Sequence, residues 1–221
     1  MSNVNELIVR EFFELKGFFV RQPCKHVATS RRDEEEIDLL VANPRPQTAT
    51  TPLPFVLAPH DLACIPHALI TIKGWHSETF SVAFMSYEPD LFRFMEEGPL
   101  NQASRSFEPG SRLVRLLVIS SLPQTDDLRQ QSLQFLRDKG IDGVLLFSDI
   151  LAELIDQTEE RRNYQKSDLL QLIRLLKHYR FFREPQLELF RSRRRSPRQR
   201  QTRKSQTSPS APTGEDPVAT P

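Results

Sequence analysis

Strand-type and helix-type sequence patterns alternate along most of this chain, and this alternation is what most limits the folds it can adopt. Short apolar runs typical of β-strands are separated by stretches in which apolar residues recur every three or four positions, as they do on amphipathic helices. The order predicted from residue 3 onwards is α-β-β-β-α-β-α-β-α-α. This order predicts a three-layer α/β or α+β domain that is built around a mixed central sheet.

The boundaries of the predicted elements follow from periodicity, capping residues and turn residues. Gly17 is predicted to end the first helix, and Ser167 is predicted to cap the N-terminus of the last one. Residues 43–66 contain six prolines without a clear period, so they are predicted to form a long loop. Strands are predicted at residues 18–21, 37–42, 68–75, 112–120 and 144–147, and helices at 3–16, 88–97, 126–139, 150–157 and 167–182.

Charge is distributed unevenly along the 221 residues. Residues 186–221 contain eight basic and three acidic side chains, whereas the whole chain has a net charge of only +1. This segment also has few large apolar residues, which predicts disorder and divides the chain into a domain at 1–184 and a basic tail at 185–221. A tail of this composition is typical either of non-specific binding to nucleic-acid phosphates or of a solubilising extension.

Several classes of protein are disfavoured by composition. The chain has no run of about 18 apolar residues, so neither a transmembrane helix nor a membrane partner is expected. It has neither a P-loop nor a GxGxxG motif, which argues against a nucleotide cradle. Cys24 and Cys64 lie far apart and outside any CxxC motif. They fit a reducing compartment, so we expect a cytoplasmic protein without a disulfide framework or a zinc site.

The third predicted strand, ALITIKGW, places two polar residues in an apolar run. Because side chains alternate across a strand, Thr71 and Lys73 are predicted to share one face. Asp38 opens the second predicted strand in the sequence EIDLLV. A buried lysine is costly unless an opposite charge accompanies it, so Asp38 is the candidate partner of Lys73.

These residues resemble the PD-(D/E)XK nuclease superfamily, which includes restriction endonucleases and Holliday-junction resolvases. In that family an Asp stands at the head of one strand and Glu-x-Lys stands on the next, and here EIDLLV and ITIKGW occupy those places. The opening is also similar to that of resolvase-like members, where a helix with an early Glu leads into a Gly-Phe-x-Val strand. Glu6 and residues 17–20 match it. The resemblance covers residues 3–147 and implies a restriction-endonuclease-like three-layer domain with extra C-terminal helices.

The resemblance also implies a chemistry, namely metal-dependent hydrolysis of phosphodiesters in DNA. Mg²⁺ would polarise the phosphate and acidify the attacking water, and it takes oxygen ligands such as carboxylates. Carried over from the family, Asp38 would be the metal ligand. Lys73 would stabilise charge that develops on the phosphate or help to position the water, and Glu6 would be an accessory carboxylate that orders a metal-bound water.

Thr71 departs from the family pattern, because it stands where the second metal-binding carboxylate is expected. A neutral hydroxyl is a weaker ligand for a hard cation, so weaker metal binding is expected. Glu36 and Glu78 are two candidates to replace the missing carboxylate. The alternative is a catalytically inactive protein of the same fold that serves as a nucleic-acid-binding or protein-interaction module.

Residues around this pattern also have simpler interpretations. Glu6 fits a capping box with Asn3, and Glu11 is a competing candidate for a partly buried carboxylate on the same helix. His76 follows the lysine strand closely, but a lone histidine is usually structural or exposed. Trp75 is predicted to pack against the core rather than to stack on a base.

Overall fold

The computed structural model describes residues 3–23, 37–49 and 51–182. The predicted basic tail therefore lies outside the described residues, and so does Glu36. The strands are β1 Phe19–Arg21, β2 Leu39–Ala42, β3 His67–Lys73, β4 Val114–Ile119 and β5 Gly143–Leu146. The α-helices are α1 Asn3–Leu15, α2 Val82–Tyr87, α3 Glu97–Ser104, α4 Asp126–Asp138, α5 Phe147–Gln157 and α6 Asp168–His178, and two 3₁₀ helices span Asp61–Cys64 and Pro89–Met95.

The five strands form one mixed sheet whose spatial order, β1-β2-β3-β4-β5, follows the chain. β1, β2 and β3 pair in antiparallel fashion, whereas β4 is parallel to β3 and β5 is parallel to β4. Parallel neighbours require a crossover connection, and here helices supply it before β4 and before β5. The predicted α/β class with a mixed central sheet is confirmed.

Each face of the sheet is covered by its own hydrophobic cluster. Ile70 and Ile72 of β3 belong to the cluster that α1, α5 and α6 help to form. Leu69 belongs to the cluster on the opposite face, which includes side chains of α2 and α4. Because side chains alternate along a strand, Thr71 and Lys73 project to the same face as Leu69. The chain is thus a three-layer arrangement, with the two polar residues of β3 on the face opposite α1.

Helix α1 packs on the sheet through one apolar stripe. Its buried apolar side chains are Ile8, Val9, Phe12 and Phe13, whereas Val4 is 56% exposed. Gly17 ends the helix as predicted, since its φ of +87° lies in the left-handed region that favours glycine.

The largest difference from the predicted elements lies between β3 and β4. Residues 88–97 are not one helix, because Pro89 begins a 3₁₀ helix and α3 starts only at Glu97. A proline disfavours helical geometry in the residue before it, and Glu88 accordingly lies outside the helical region, with φ −114° and ψ 72°. The preceding helix α2 was not predicted. The hydroxyl of Ser81 caps it by accepting a hydrogen bond from the Phe84 N–H at 3.3 Å.

The long loop at 43–66 contacts the outer edge of the sheet. The Leu57 N–H donates to the Val144 carbonyl, and the Val144 N–H donates to the Phe55 carbonyl, both at 2.8 Å. Val56 thereby forms an isolated parallel bridge with Val144 of β5. No helix in the described ranges is both long and apolar enough to cross a membrane.

Candidate functional site

Asp38 lies one residue before β2, where the main-chain ladder between β2 and β3 ends. Its carboxylate oxygen Oδ2 accepts a hydrogen bond from the Ile72 N–H at 2.6 Å, and its own N–H donates to the Ile70 carbonyl at 3.0 Å. Ile72 is the central residue of the Thr71-Ile72-Lys73 sequence. The Asp38 carboxyl is therefore fixed beside the tripeptide that takes the place of Glu-x-Lys.

The Asp38 carboxyl is in an environment that disfavours its charge. Burial raises its pKa from the usual 3.8 to about 7, although the hydrogen bond from Ile72 acts in the opposite direction. The negative charge of Glu6 raises the pKa further, and the positive charge of Lys73 lowers it. The charges of Glu6 and Lys73 therefore act on the Asp38 carboxyl in opposite directions.

Thr71 and Lys73 occupy the last part of β3, next to the parallel strand β4. Thr71 is completely buried, and Lys73 is only 9% exposed. In the register of the two strands Lys73 is opposite Ile119, the last residue of β4. Lys73 is therefore at the carboxyl ends of two parallel strands, which is where open α/β sheets commonly bind ligands.

Glu6 is in the first turn of α1, at the end of the helix that reaches this region. Its carboxylate oxygen Oε2 accepts a hydrogen bond from Nε2 of Gln22 at 3.3 Å. The capping-box interpretation depends on the Asn3 side chain, which lies outside the described part of the molecule. Glu11 is only 8% exposed and forms an ion pair with Arg10 at 3.9 Å, so it is a buried carboxylate with its own cationic partner.

Of the two candidates to replace the missing carboxylate, the structure describes only Glu78. Glu36 is outside the described residues. Glu78 is exposed, and its main-chain carbonyl accepts hydrogen bonds from the hydroxyls of Ser120 and Ser121 just after β4. Among the described residues no three or more His, Cys, Asp or Glu side chains are grouped closely enough to hold a metal ion. Any metal here would be held by one or two carboxylates and water. Mg²⁺ binds through ligand sets of this kind, whereas structural zinc sites use four protein ligands.

A contact that the sequence did not reveal ties the start of α1 to the end of β3. Nδ2 of Asn5 donates to the Gly74 carbonyl at 3.3 Å, and Oδ1 of Asn5 lies 3.1 Å from Nε2 of His76. The His76 ring also packs edge-on against Phe147, with 4.7 Å between the ring centroids. These partners are about 70 residues apart along the chain, so sequence spacing carries no signal of the contact. Asn5 precedes Glu6, and Gly74 follows Lys73, so this cluster adjoins the candidate site.

A groove of about 510 Å³ lies between α1 and β1 on the Glu6 side of this region. Gln22, the hydrogen-bond partner of Glu6, is one of its walls. The groove is lined by Arg10, Glu14, Val20, Arg21, Gln22 and Pro23. Two of these residues, Arg10 and Arg21, bring guanidinium groups to the groove.

The chain was also compared with known proteins. No protein-family model, no curated protein and no solved structure matches it.

Proposed function

We propose that this chain is a metal-dependent nuclease with a restriction-endonuclease-like fold, and that Glu6, Asp38 and Lys73 form its active site. The observation that carries the proposal is the hydrogen bond from the Ile72 N–H, which holds the Asp38 carboxyl beside the Thr71-Ile72-Lys73 strand, where burial and the charge of Glu6 raise its pKa to about 7. Perturbed carboxyl groups with a specific charged neighbour are concentrated at functional sites. DNA is the proposed substrate, and the reducing cytoplasm, where Cys64 would remain a free thiol, is the proposed location.

The charges of Asp38 and Glu6 support this proposal because their repulsion destabilises the folded chain, which a purely structural site would avoid. A carboxylate near a partly buried aspartate destabilises the charged form of that aspartate, as Glu6 does for Asp38. A purely structural site would gain by replacing one of them with a neutral residue. A divalent cation held by Asp38 would reverse this balance, since its positive charge would favour the charged form of the carboxyl.

The fold supports the proposal in a second way. The family resemblance implies the element order α-β-β-β-α-β, and residues 3–119 have this order with additional short helices. Asp38 immediately precedes β2, which pairs with β3, the strand that contains Thr71-Ile72-Lys73. The two parts of the motif therefore meet through direct strand pairing.

The residues present fit Mg²⁺ with a reduced set of protein ligands. Asp38 would hold the ion, which would polarise a phosphodiester and acidify a bound water. Lys73 would place its ammonium near the phosphate oxygens that gain charge, and its burial would strengthen that interaction. Glu6 would accept a hydrogen bond from the attacking water and so orient it. Thr71 would contribute only a hydroxyl, so weak metal binding is expected.

The direct test is cleavage of plasmid and branched DNA in Mg²⁺ and in Mn²⁺. Wild-type protein is expected to cut, whereas Asp38→Ala and Lys73→Ala are expected to lose activity. Asp127→Ala and Lys166→Ala, which remove exposed charges elsewhere, serve as matched controls and should cut normally. Cleavage that persists in both site variants would remove these residues from the active site.

A second candidate function is a binding module that has lost catalysis, and the observation that favours it is Thr71. This side chain is fully buried at the position where the family has its second metal-binding carboxylate. The test is to introduce the carboxylate with Thr71→Asp or Thr71→Glu. An inactive wild type that gains Mg²⁺-dependent cleavage from either substitution would support this candidate over an active enzyme.

A further inference from the structure

The contacts of Asn5 fix the position of a proton on His76. The Gly74 carbonyl can only accept a hydrogen bond, so the Asn5 atom that meets it must be the amide nitrogen Nδ2. Oδ1 of Asn5 is then the atom that faces His76, and this oxygen can only accept. Nε2 of His76 must therefore carry a hydrogen. In the neutral ring this leaves Nδ1 as the nitrogen with a lone pair that can accept a proton.

Gly74 is required for this arrangement. A Cβ atom at position 74 would lie 2.0 Å from Nδ2 of Asn5, far inside contact distance. Asn5 itself is 9% exposed, so it has little room to move away. The sequence Lys73-Gly74 thus allows the first turn of α1 to approach the end of β3 and hold the histidine that follows.

We propose that His76 is the general base of the hydrolysis, and that Asn5 is the positioning residue that holds it in the Nε2–H form. This inference rests on the proposed nuclease function and adds a proton acceptor to it. The histidine is three residues after Lys73, its anchor Asn5 precedes Glu6, and its side chain is exposed at the edge of the site. A base that is oriented by a third group through its second nitrogen is a recurrent catalytic arrangement.

The proposed step is the attack of a water molecule on the phosphodiester. The oxygen of a water molecule forms a bond to phosphorus while one of its protons passes to Nδ1 of His76. The bond from phosphorus to the leaving nucleoside oxygen breaks, and its electron pair stays on that oxygen, which takes a proton from solvent. His76 then returns its extra proton to solvent.

The groups that contact the His76 ring carry no charge that would fix its protonation by itself. They are Asn5 from α1 and Phe147 from α5. The charged residues nearest to these contacts in sequence are Glu6 of α1, Lys73 of β3, Glu78 after β3 and Asp149 of α5.

The first arm of the test needs no enzymatic activity. Nitrogen-15 NMR of the imidazole rings of the full chain, with the signal of His76 assigned through His76→Gln, should show the hydrogen on Nε2 at pH 8 and slow exchange of that hydrogen with water. Asn5→Ala and Gly74→Ala should each make the exchange fast. A hydrogen on Nδ1, or an exchange rate that is the same in wild type and Asn5→Ala, would overturn the inference.

The second arm measures single-turnover cleavage of DNA against pH. His76→Ala is expected to lower the rate by about 10²–10⁴-fold and to remove the acidic limb of the profile, and added imidazole should restore part of the rate. Asn5→Ala and Gly74→Ala should displace that limb, whereas His178→Gln, an exposed histidine on α6, should leave the profile unchanged. If wild type cuts and His76→Ala has the same rate and profile, the base assignment fails and the nuclease proposal stands. If wild type does not cut at all, both fail.

Discussion

Asp38→Asn is expected to make the protein more stable at neutral and alkaline pH. The substitution keeps the shape of the side chain and keeps an oxygen that can accept the hydrogen bond from Ile72, but it removes the charge. Burial raises the pKa of Asp38 from 3.8 to about 7, so the folded chain binds this proton more tightly than the unfolded chain does. Stability is therefore greatest when both states are protonated, below pH 3.8, and it is lost as the pH rises from there through 7.

The size of the effect follows from the difference between the two pKa values. About three pH units, from 3.8 to about 7, correspond to a loss of up to about 4 kcal/mol in the free energy of unfolding at pH 8. At pH 5 the loss is less than about 2 kcal/mol, because the folded chain is still protonated and the pH is only about one unit above the pKa of the unfolded chain. The Asn variant avoids this loss, so its advantage should grow between pH 5 and pH 8.

Urea denaturation at a series of pH values, followed by circular dichroism, measures the difference. Asp142→Asn is the matched control, because burial raises the pKa of Asp142 but hydrogen bonds from Arg115, including Nε to Oδ2 at 2.7 Å, lower it overall. That variant should lose stability at neutral pH and differ little from wild type in strong acid. An Asp38→Asn protein that is less stable than wild type at pH 8, or a wild type whose stability does not fall between pH 4 and 7, would refute the reasoning.

Three further predictions concern metal binding, helix packing and the tail. Mg²⁺ should raise the melting temperature of wild type at pH 8 and leave that of Asp38→Asn unchanged, because a ligand stabilises only the state that binds it; equal shifts in both proteins would place the metal elsewhere. Lys177→Met should lower the free energy of unfolding by about 1–3 kcal/mol in urea denaturation. The Lys177 ammonium donates to the carbonyls of Ile155 and Thr158 at the end of α5, at 2.6 and 2.7 Å. Lys166→Met, at an exposed position, should have no effect. Deletion after Glu184 should weaken DNA binding and flatten its salt dependence in fluorescence anisotropy, and an unchanged slope would argue against a nucleic-acid role for the tail.

Most of the architecture could be predicted from local patterns because periodicity and caps act over a few residues. Gly17 ends α1 and Ser167 caps α6 as predicted, with its hydroxyl accepting a hydrogen bond from the Leu170 N–H at 3.2 Å. The region between β3 and β4 was predicted less well. There Ser81 and Pro89 set the boundaries of short helices whose apolar residues do not repeat often enough to reveal a period.

The candidate site could also be predicted only in part. Thr71 and Lys73 could be placed on one face of β3 because a strand alternates with a period of two. The hydrogen bond from Ile72 to Asp38 depends on where the β2 ladder stops, which no local pattern encodes. Asn5 and His76 meet only because tertiary packing brings the first turn of α1 to the end of β3.

The proline-rich loop has a consequence for the protein in a crowded solution. The outer main-chain groups of a sheet's last strand can pair with a strand from another molecule, and this is a common route to aggregation. Residues 55–57 occupy part of that edge on β5, and the opposite edge, β1, is only three residues long. Shortening the loop should therefore lower the solubility of the protein before it lowers the stability of the fold.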